Sequence, residues 1–452
     1  MRSRDDLFGQ FGPQRIIHCR SERRVHDWKF PFTSFSPSRP KVGGMSSVPD
    51  SAPSLPARLR TVLGSDMTLL IVVVSLMAVY SVRYLIWYFS QVDYRPGGPG
   101  TPVGGDFAGF WLAAKFLFGH AAAHIYHIPT FTAFELSHIT GGEGPFHSWS
   151  HPPVALLLMA PLGLMPYTAA YAAFMALTFL LYAMLASGLR PKLWFVVLLL
   201  LSPAATVTLI GGQTGFLTAG LLIGGILLLD RRPVWSGILF GLLAIEPQLG
   251  LLIPIALIAG GLWRPFFAAV ATGVALVWTS IFFYGFDIWP AYLEAISALR
   301  ETPPTLQPTI LAAMHLWGAA PPVAYAAQAV VTLGLAAGIW ALFRKSTDRP
   351  LQAAAIGFAV LLTTPYGVVY DMPAVAISCI ILGWRGFNEG FLPYERLALI
   401  AGWVLPLAVM TLNPLHMPVA PLVLLALFAL TMRRALNPEL AASAMPVPAL
   451  SR

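Results

Sequence analysis

Apolar runs of membrane-spanning length alternate with short polar connections along most of this chain. They predict helical spans near 67–89, 167–187, 193–210, 213–229, 264–285, 321–343, 351–365, 370–385, 395–412 and 416–433. A bilayer core of about 30 Å asks for about 20 apolar residues per helix. Two stretches break the pattern. Residues 152–165 are short and bracketed by Pro152-Pro153 and Pro166, and residues 233–262 are interrupted by Glu246-Pro247-Gln248, so they read as one span or as two half-helices. The expected fold is an all-α polytopic integral membrane protein with about 10–13 transmembrane helices.

One polar stretch is long. Residues 91–151 separate the first span from the next apolar run, and a second loop covers 286–320. Within the first loop, Asp106 stands where a helix N-cap belongs, ahead of Phe107-Ala108-Gly109-Phe110-Trp111-Leu112-Ala113-Ala114-Lys115, with Gly119 as a stop. Phe107, Phe110, Trp111, Ala114 and Phe118 fall on one helical stripe, a pattern suited to a membrane interface. A second helix is expected from Pro129, with Phe131 and Phe134 inward and Glu135 and His138 more exposed. Residues 1–60 are rich in Pro, Ser and Arg and read as a disordered basic tail, with Met45 a possible true start; 61–435 form the membrane domain and 436–452 a second tail.

Composition agrees with a membrane chain: 57% of 452 residues are hydrophobic and 11% charged, with a mean hydropathy of +0.70. The net charge of +8 does not point to nucleic acid, because 11 of the 28 Lys and Arg lie in residues 1–60 and most others in short connections. These are Arg190, Lys192, Arg231, Arg232, Arg264, Arg344, Lys345, Arg349, Arg385, Arg396, Arg433 and Arg434. The bias places those connections and the N-terminus in the cytoplasm and the loops 91–151 and 286–320 outside. Cys19 and Cys379 are too differently placed for a disulfide.

Several polar residues invite chemistry, each with a bland alternative. Asp106 is either an N-cap contributing about 1 kcal/mol or a general base at the membrane surface, where Gly104 and Gly105 would let a substrate approach the backbone. Asp371 follows Tyr370 at a span mouth and is a cap or an acceptor-binding group. Glu246 sits at a proline break beside Gln248, a structural kink or a polar pocket. Gln213, in the turn Gly211-Gly212-Gln213-Thr214-Gly215, is placed to bond a sugar or phosphate. The loop histidines 120, 124, 127, 138, 147 and 151 read as solvated or headgroup-contacting rather than as a metal set, with His151 the one placed to touch substrate. Trp289, Tyr292 and Trp317 offer rings for sugar stacking. No nucleotide-binding pattern occurs, so neither cofactor nor metal is expected, and an activated donor would come from the membrane.

Taken in order, these motifs resemble glycosyltransferase family 87. They are Gly105-Asp106-Phe107, Gly119, Ile125-Tyr126, Ser150-His151-Pro152-Pro153, Ala160 to Tyr167, Gly212 to Leu217, Gly241 to Gln248, Thr364-Pro365-Tyr366 and Tyr370-Asp371. The resemblance implies a GT-C-like membrane hexosyltransferase of the polyprenyl-phosphate-mannose-dependent kind. It would pass a sugar from a polyprenyl phosphate to a hydroxyl of an envelope glycan or glycolipid at the outer face of the inner membrane, with inversion and with Asp106 as base. Tyr370, Asp371, His151, Gln213, Gln248, Glu246 and Arg300 would bind substrate. Two departures stand out: Glu246-Pro247-Gln248 where the family has Lys-Pro-Gln, and His151-Pro152-Pro153 where it has Tyr-Pro-Pro. If the family lysine holds the donor phosphate, Arg300, Arg95 or His151 would take its place. The competing readings are a lipid-linked sugar transporter, favoured by the break at Pro247, and an inactive scaffold-like relative, favoured by Glu246.

Overall fold

A computed structural model describes residues 66–94, 101–138, 149–298 and 303–437. The tail 1–60, Arg95, Glu143, His147, Arg300 and Glu301 lie outside the described residues. Among those described there are eighteen α-helices joined by short 3₁₀ turns. The only extended pairing among them is one isolated bridge, Asp93 with Pro102.

Five described helices are long and apolar enough to cross a membrane: Thr68–Gln91, Tyr167–Ala186, Trp263–Tyr284, Pro321–Lys345 and Glu395–Leu415. A sixth crossing forms if Leu193–Leu200 and Pro203–Gly211 count as one span, bent by 61°. The apolar run predicts one helix over 193–210, and the structure breaks it in two. The bend comes at Pro203, which has no N–H to continue the ladder, and Ser202 caps the second arm by accepting from the Ala205 N–H at 3.1 Å. The remaining apolar runs form shorter helices. Gly215–Leu228 has 14 residues, all but one of them buried, and Arg349–Thr363 is buried from Leu351 onward. Their all-round apolar sequences suit helices enclosed by other helices.

The interrupted segment is two half-helices. Pro233–Leu242 runs through a 3₁₀ turn to Ile245, and a second turn, Pro247–Gly250, leads into Leu252–Ala259. Gly237 packs against Pro265 and Gly241 against Thr272. The first arm therefore runs parallel to the Trp263–Tyr284 helix, and the second arm returns to the end where the first began. Glu246 is the tip of this hairpin.

Charge separates the two ends of the bundle. Away from Glu246, Arg349 pairs with Asp230 at 2.7 Å, and Arg385 reaches both Asp348 and Glu389. Arg434 is buried, forks onto Glu395 at 2.6 and 3.0 Å, and meets Glu389 at 3.1 Å and the Gly390 carbonyl at 2.7 Å. These bonds tie the ends of four helices together, at the same end as Lys345 and Arg433. A buried guanidinium needs its carboxylate, because losing one partner leaves the other charge desolvated. We expect Glu395→Gln to cost about 3 kcal/mol or more, read as a lower Tm of the detergent-solubilised chain. An unchanged Tm would show that Glu389 and Gly390 suffice for Arg434.

Candidate functional site

The opposite end of the bundle carries the polar residues singled out in the sequence. The first loop is brought back to its own helix by two backbone bonds, Asp93 N–H to Thr101 O at 2.9 Å and Val103 N–H to Asp93 O at 2.8 Å. Tyr88 then fixes Gly104 by accepting from its N–H at 2.9 Å while donating to the Ile210 carbonyl at 3.1 Å. Tyr167 donates to the Val103 carbonyl at 2.5 Å and Tyr171 to Leu209 at 2.7 Å. Phe107 is buried among the rings of Tyr167, Tyr171 and Phe174, with centroids 5.6–5.7 Å away. Phe107 therefore anchors the start of the Phe107–Phe116 helix.

That helix differs from the expected interfacial amphipath. Nine of its ten residues are buried, because Leu112 and Ala113 on the face away from the aromatic stripe are apolar too and pack on protein. In the next helix, Ile128–His138, Phe131 is buried and His138 exposed as expected, but Glu135 is buried rather than exposed. It shares the Phe131 stripe at i+4, and helix geometry carries it inward with that phenylalanine.

Asp106 occupies the N-cap position with a helical backbone (φ −63°, ψ −19°) and makes no side-chain cap bond. Its Oδ2 instead accepts from Gln213 Nε2 at 2.7 Å. The carboxylate thus points across the mouth rather than back onto its own helix. What permits this is the contact of two backbones. Gly212 has φ +61°, and a Cβ there would lie 2.5 Å from both the Gly104 carbonyl oxygen and the Phe107 Cβ. The space beside Gly104 is filled by Tyr171 and that beside Gly105 faces the Ile210 carbonyl. At Gly104 the missing side chain makes room for protein, whereas Gly105 is half-buried with only an ordinary contact beside it.

Gln213 is buried, and its Oε1 has no hydrogen-bond partner among the described residues. Its neighbour Thr214 donates to Glu246 Oε1 at 3.4 Å. Glu246 also accepts from Gln248 and pairs with His151 Nδ1 at 2.9 Å. Its buried carboxylate therefore does more than sit at a kink. His151 stands edge-on to Phe110 at 5.1 Å and beside Trp149 at 5.0 Å, and its backbone carbonyl accepts from Tyr126 at 2.7 Å.

The last wall is the segment before the Pro373–Glu389 helix. A Cβ on Gly215 would lie 1.9 Å from the Tyr370 carbonyl, which accepts from Thr208 at 2.9 Å. The Tyr370 phenol lies within electrostatic range of Asp371, Glu246 and Asp106. Asp371 is buried and caps its own turn, with Oδ2 accepting from the Val368 N–H at 3.0 Å. It does not cap the helix that follows.

Charge sets the protonation of this group. Burial pulls His151 toward the neutral imidazole, but the Glu246 carboxylate, through charge and hydrogen bond, outweighs that, with Asp371 and Asp106 adding to it, so its pKa is raised. Burial and then Glu246 push Asp371 up to about 8, against the Val368 N–H bond and His151.

Thus Asp106, Gln213, Glu246, Gln248, His151, Tyr370 and Asp371 converge, while Arg300 falls outside the described residues. Tyr292 joins them, with its ring 5.5 Å from Tyr126 and its phenol within range of Glu246. Trp289 bonds Ser280 at 3.1 Å, and Trp317 is exposed. Sequence reasoning missed Tyr88, Tyr126, Thr208 and Thr214 as site-building residues. Their partners are backbone carbonyls or residues distant in sequence, which no spacing reveals. No group of three or more His, Cys, Asp or Glu among the described residues is arranged to hold a metal ion.

Residues 149–365 match the model of glycosyltransferase family 87. The resemblance drawn from the motifs is borne out, and with a helical bundle of membrane-crossing length it supports a membrane glycosyltransferase. No curated protein and no solved structure matches the chain. The matched segment holds His151, Gln213, Glu246 and Gln248, whereas Asp106, Tyr370 and Asp371 lie outside it and are tied to it by the contacts above.

Gly212→Ala tests the backbone contact that aims Asp106. It combines left-handed strain with a collision, and we expect a loss of about 2 kcal/mol. Gly188→Ala, with a similar φ of +63° but open space around it, should cost about 1 kcal/mol. Equal Tm losses for the two variants would refute the close approach.

Proposed function

We propose that this chain transfers a mannose-like hexose from a polyprenyl-phosphate sugar to a hydroxyl of an envelope glycan or glycolipid, with inversion. The observation that carries the reading is the Asp106 carboxylate, turned away from its own helix and held at 2.7 Å by Gln213 at the mouth of the bundle. An alcohol is a poor nucleophile until a base takes its proton, and a positioned carboxylate accelerates such a step about 10²–10⁴-fold. In the proposed reaction the acceptor O–H gives its proton to Asp106 and its oxygen bonds to the anomeric carbon. The bond from that carbon to the phosphate oxygen breaks, and the electron pair leaves with the polyprenyl monophosphate.

Gln213 holds the base through Nε2, and its buried Oε1 has no partner among the described residues, which supports assigning it a polar role beside the base. Tyr370, Asp371, His151, Gln248 and Glu246 supply the other polar contacts. Charge supports a sidedness for the site. Arg231, Arg232, Arg264, Lys345 and Arg433 belong to the end of the bundle away from Asp106, so the positive-inside bias supports an active site on the extracytoplasmic side of the inner membrane. A transporter would exploit the broken hairpin at Glu246. In this chain the break is closed by bonds from Thr214, Gln248 and His151, which favours a fixed site over a moving one.

The test is transfer of labelled mannose from a polyprenyl-phosphate donor to extracted envelope glycolipids by the purified chain in nanodiscs. Asp106→Asn should lower the rate by about 100-fold or more with an unchanged Tm. Full activity in that variant would reject the base, and transport of the donor with no glycan product would reject the enzyme.

A further inference from the structure

Among the described ionisable groups at the mouth, those whose charge acts on His151 are acids: Glu246, Asp371 and Asp106. A phosphate-bearing ligand entering such a place needs a positive donor, and the described residues show one built for it. The imidazole is clamped. Nδ1 donates to Glu246 Oε1 at 2.9 Å, and that carboxylate is fixed from its other sides by Thr214 and Gln248. Phe110 and Trp149 wall the ring, and Tyr126 pins the backbone of the same residue. The bonds just named engage Nδ1 and the backbone carbonyl, which leaves the Nε2 edge of the ring for a ligand, and the side chain is 19% exposed.

Deepening the proposed function, on which it rests, we infer that His151 presents its Nε2–H to the anionic phosphate of the lipid-linked donor, with Glu246 as the positioning residue that orients the ring and holds its proton. Charge bookkeeping supports this. Glu246 is neutralised within its pair with the imidazolium. Burial and Glu246 push Asp371 up to about 8, so near neutral pH it repels a phosphate less than an ordinary carboxylate would. Asp106, the third acid, is held by Gln213 at 2.7 Å. The same argument gives the reversed charge at position 246 a purpose. A carboxylate here does not meet the phosphate; it makes the neighbouring histidine a cation that can.

The sign of the pH dependence follows. His151 must be protonated to donate from Nε2 while Nδ1 stays on Glu246, so phosphate binding is present at low pH and lost as pH rises through the raised histidine pKa. Removing the Glu246 charge moves that loss to lower pH.

The experiment reads binding, not transfer. The full chain, labelled with ¹⁵N-histidine in nanodiscs, is titrated with dodecyl phosphate and, separately, with dodecanol; His151→Gln identifies the His151 resonance. The inference requires that dodecyl phosphate shift the His151 imidazole signals and dodecanol not. Affinity for dodecyl phosphate should fall about tenfold or more in His151→Gln. Glu246→Gln should lower the His151 titration midpoint and the pH at which phosphate binding is lost, and Glu246→Asp should restore part of both. If His151→Gln is misfolded by its Tm, the parent chain decides through the signal that responds to Glu246→Gln. A parent spectrum indifferent to dodecyl phosphate, equal responses to the alcohol, or a Glu246→Gln titration like the parent's would overturn the inference. A chain that binds alkyl phosphate through His151 yet transfers no sugar would keep this inference and remove the proposed function. Sugar transfer in a chain whose His151 ignores phosphate would do the reverse.

Discussion

A carboxylate at the head of a buried helix must find a donor, and in this chain the donor is Gln213 from a turn 107 residues away. Much of the mouth is arranged around that contact. Had Asp106 capped its own helix, its charge would have been satisfied by the N2 or N3 amide and turned from the opening. The helical backbone at Asp106 forbids that geometry, and the packing of Gly212 on Gly104 brings Gln213 within reach. Tyr88, Tyr167 and Tyr171 then hold the two segments by bonds to backbone carbonyls. The aromatic cage around Phe107 supplies the apolar burial that keeps the start of its helix in place.

A bilayer tolerates irregular backbone only where protein or a wet cavity meets its polar groups. Breaks in the apolar pattern are therefore where polar chemistry can be placed, and this chain places it there. The Gly211–Thr214 turn supplies Gln213 and Thr214. The proline break supplies Glu246 and Gln248, and the re-entry before Pro152 supplies His151. The turn before Pro373 supplies Asp371 and the Tyr370 carbonyl. The end with Arg434 and Glu395 uses its charges differently, as paired and buried ties between helix ends. One end of the bundle is a clamp, and the other gathers the candidate site.

This division explains what could be read from the sequence. Long apolar runs announce themselves, so Asp66–Gln91, Tyr167–Ala186, Trp263–Tyr284 and Pro321–Lys345 lie close to their expected bounds. The short helices Gly215–Leu228 and Arg349–Thr363 carry the same composition but are enclosed by protein, and composition does not tell lipid from a neighbouring helix. Asp106, Gln213, Glu246 and Asp371 were legible because a polar residue in an apolar break is conspicuous. Their pairings were not, since which break meets which is a matter of tertiary packing. Glu135 shows the same limit. Its charge suggested exposure, while its spacing from Phe131 carried it inside.

The pairing of Glu246 with His151 is the clearest consequence. Read alone, a glutamate at position 246 reverses the charge that the resemblance leads one to expect, and it suggested a dead site. Read with its partner, it changes which residue carries the positive charge. A lone buried carboxylate would rise in pKa and become neutral; one that meets an imidazole at 2.9 Å can stay ionised and keep the imidazole protonated. Positions 151 and 246, where the sequence resemblance led one to expect other residues, therefore belong to one pair. Neither residue is informative without the other, and the hydrogen bond between them is the reason.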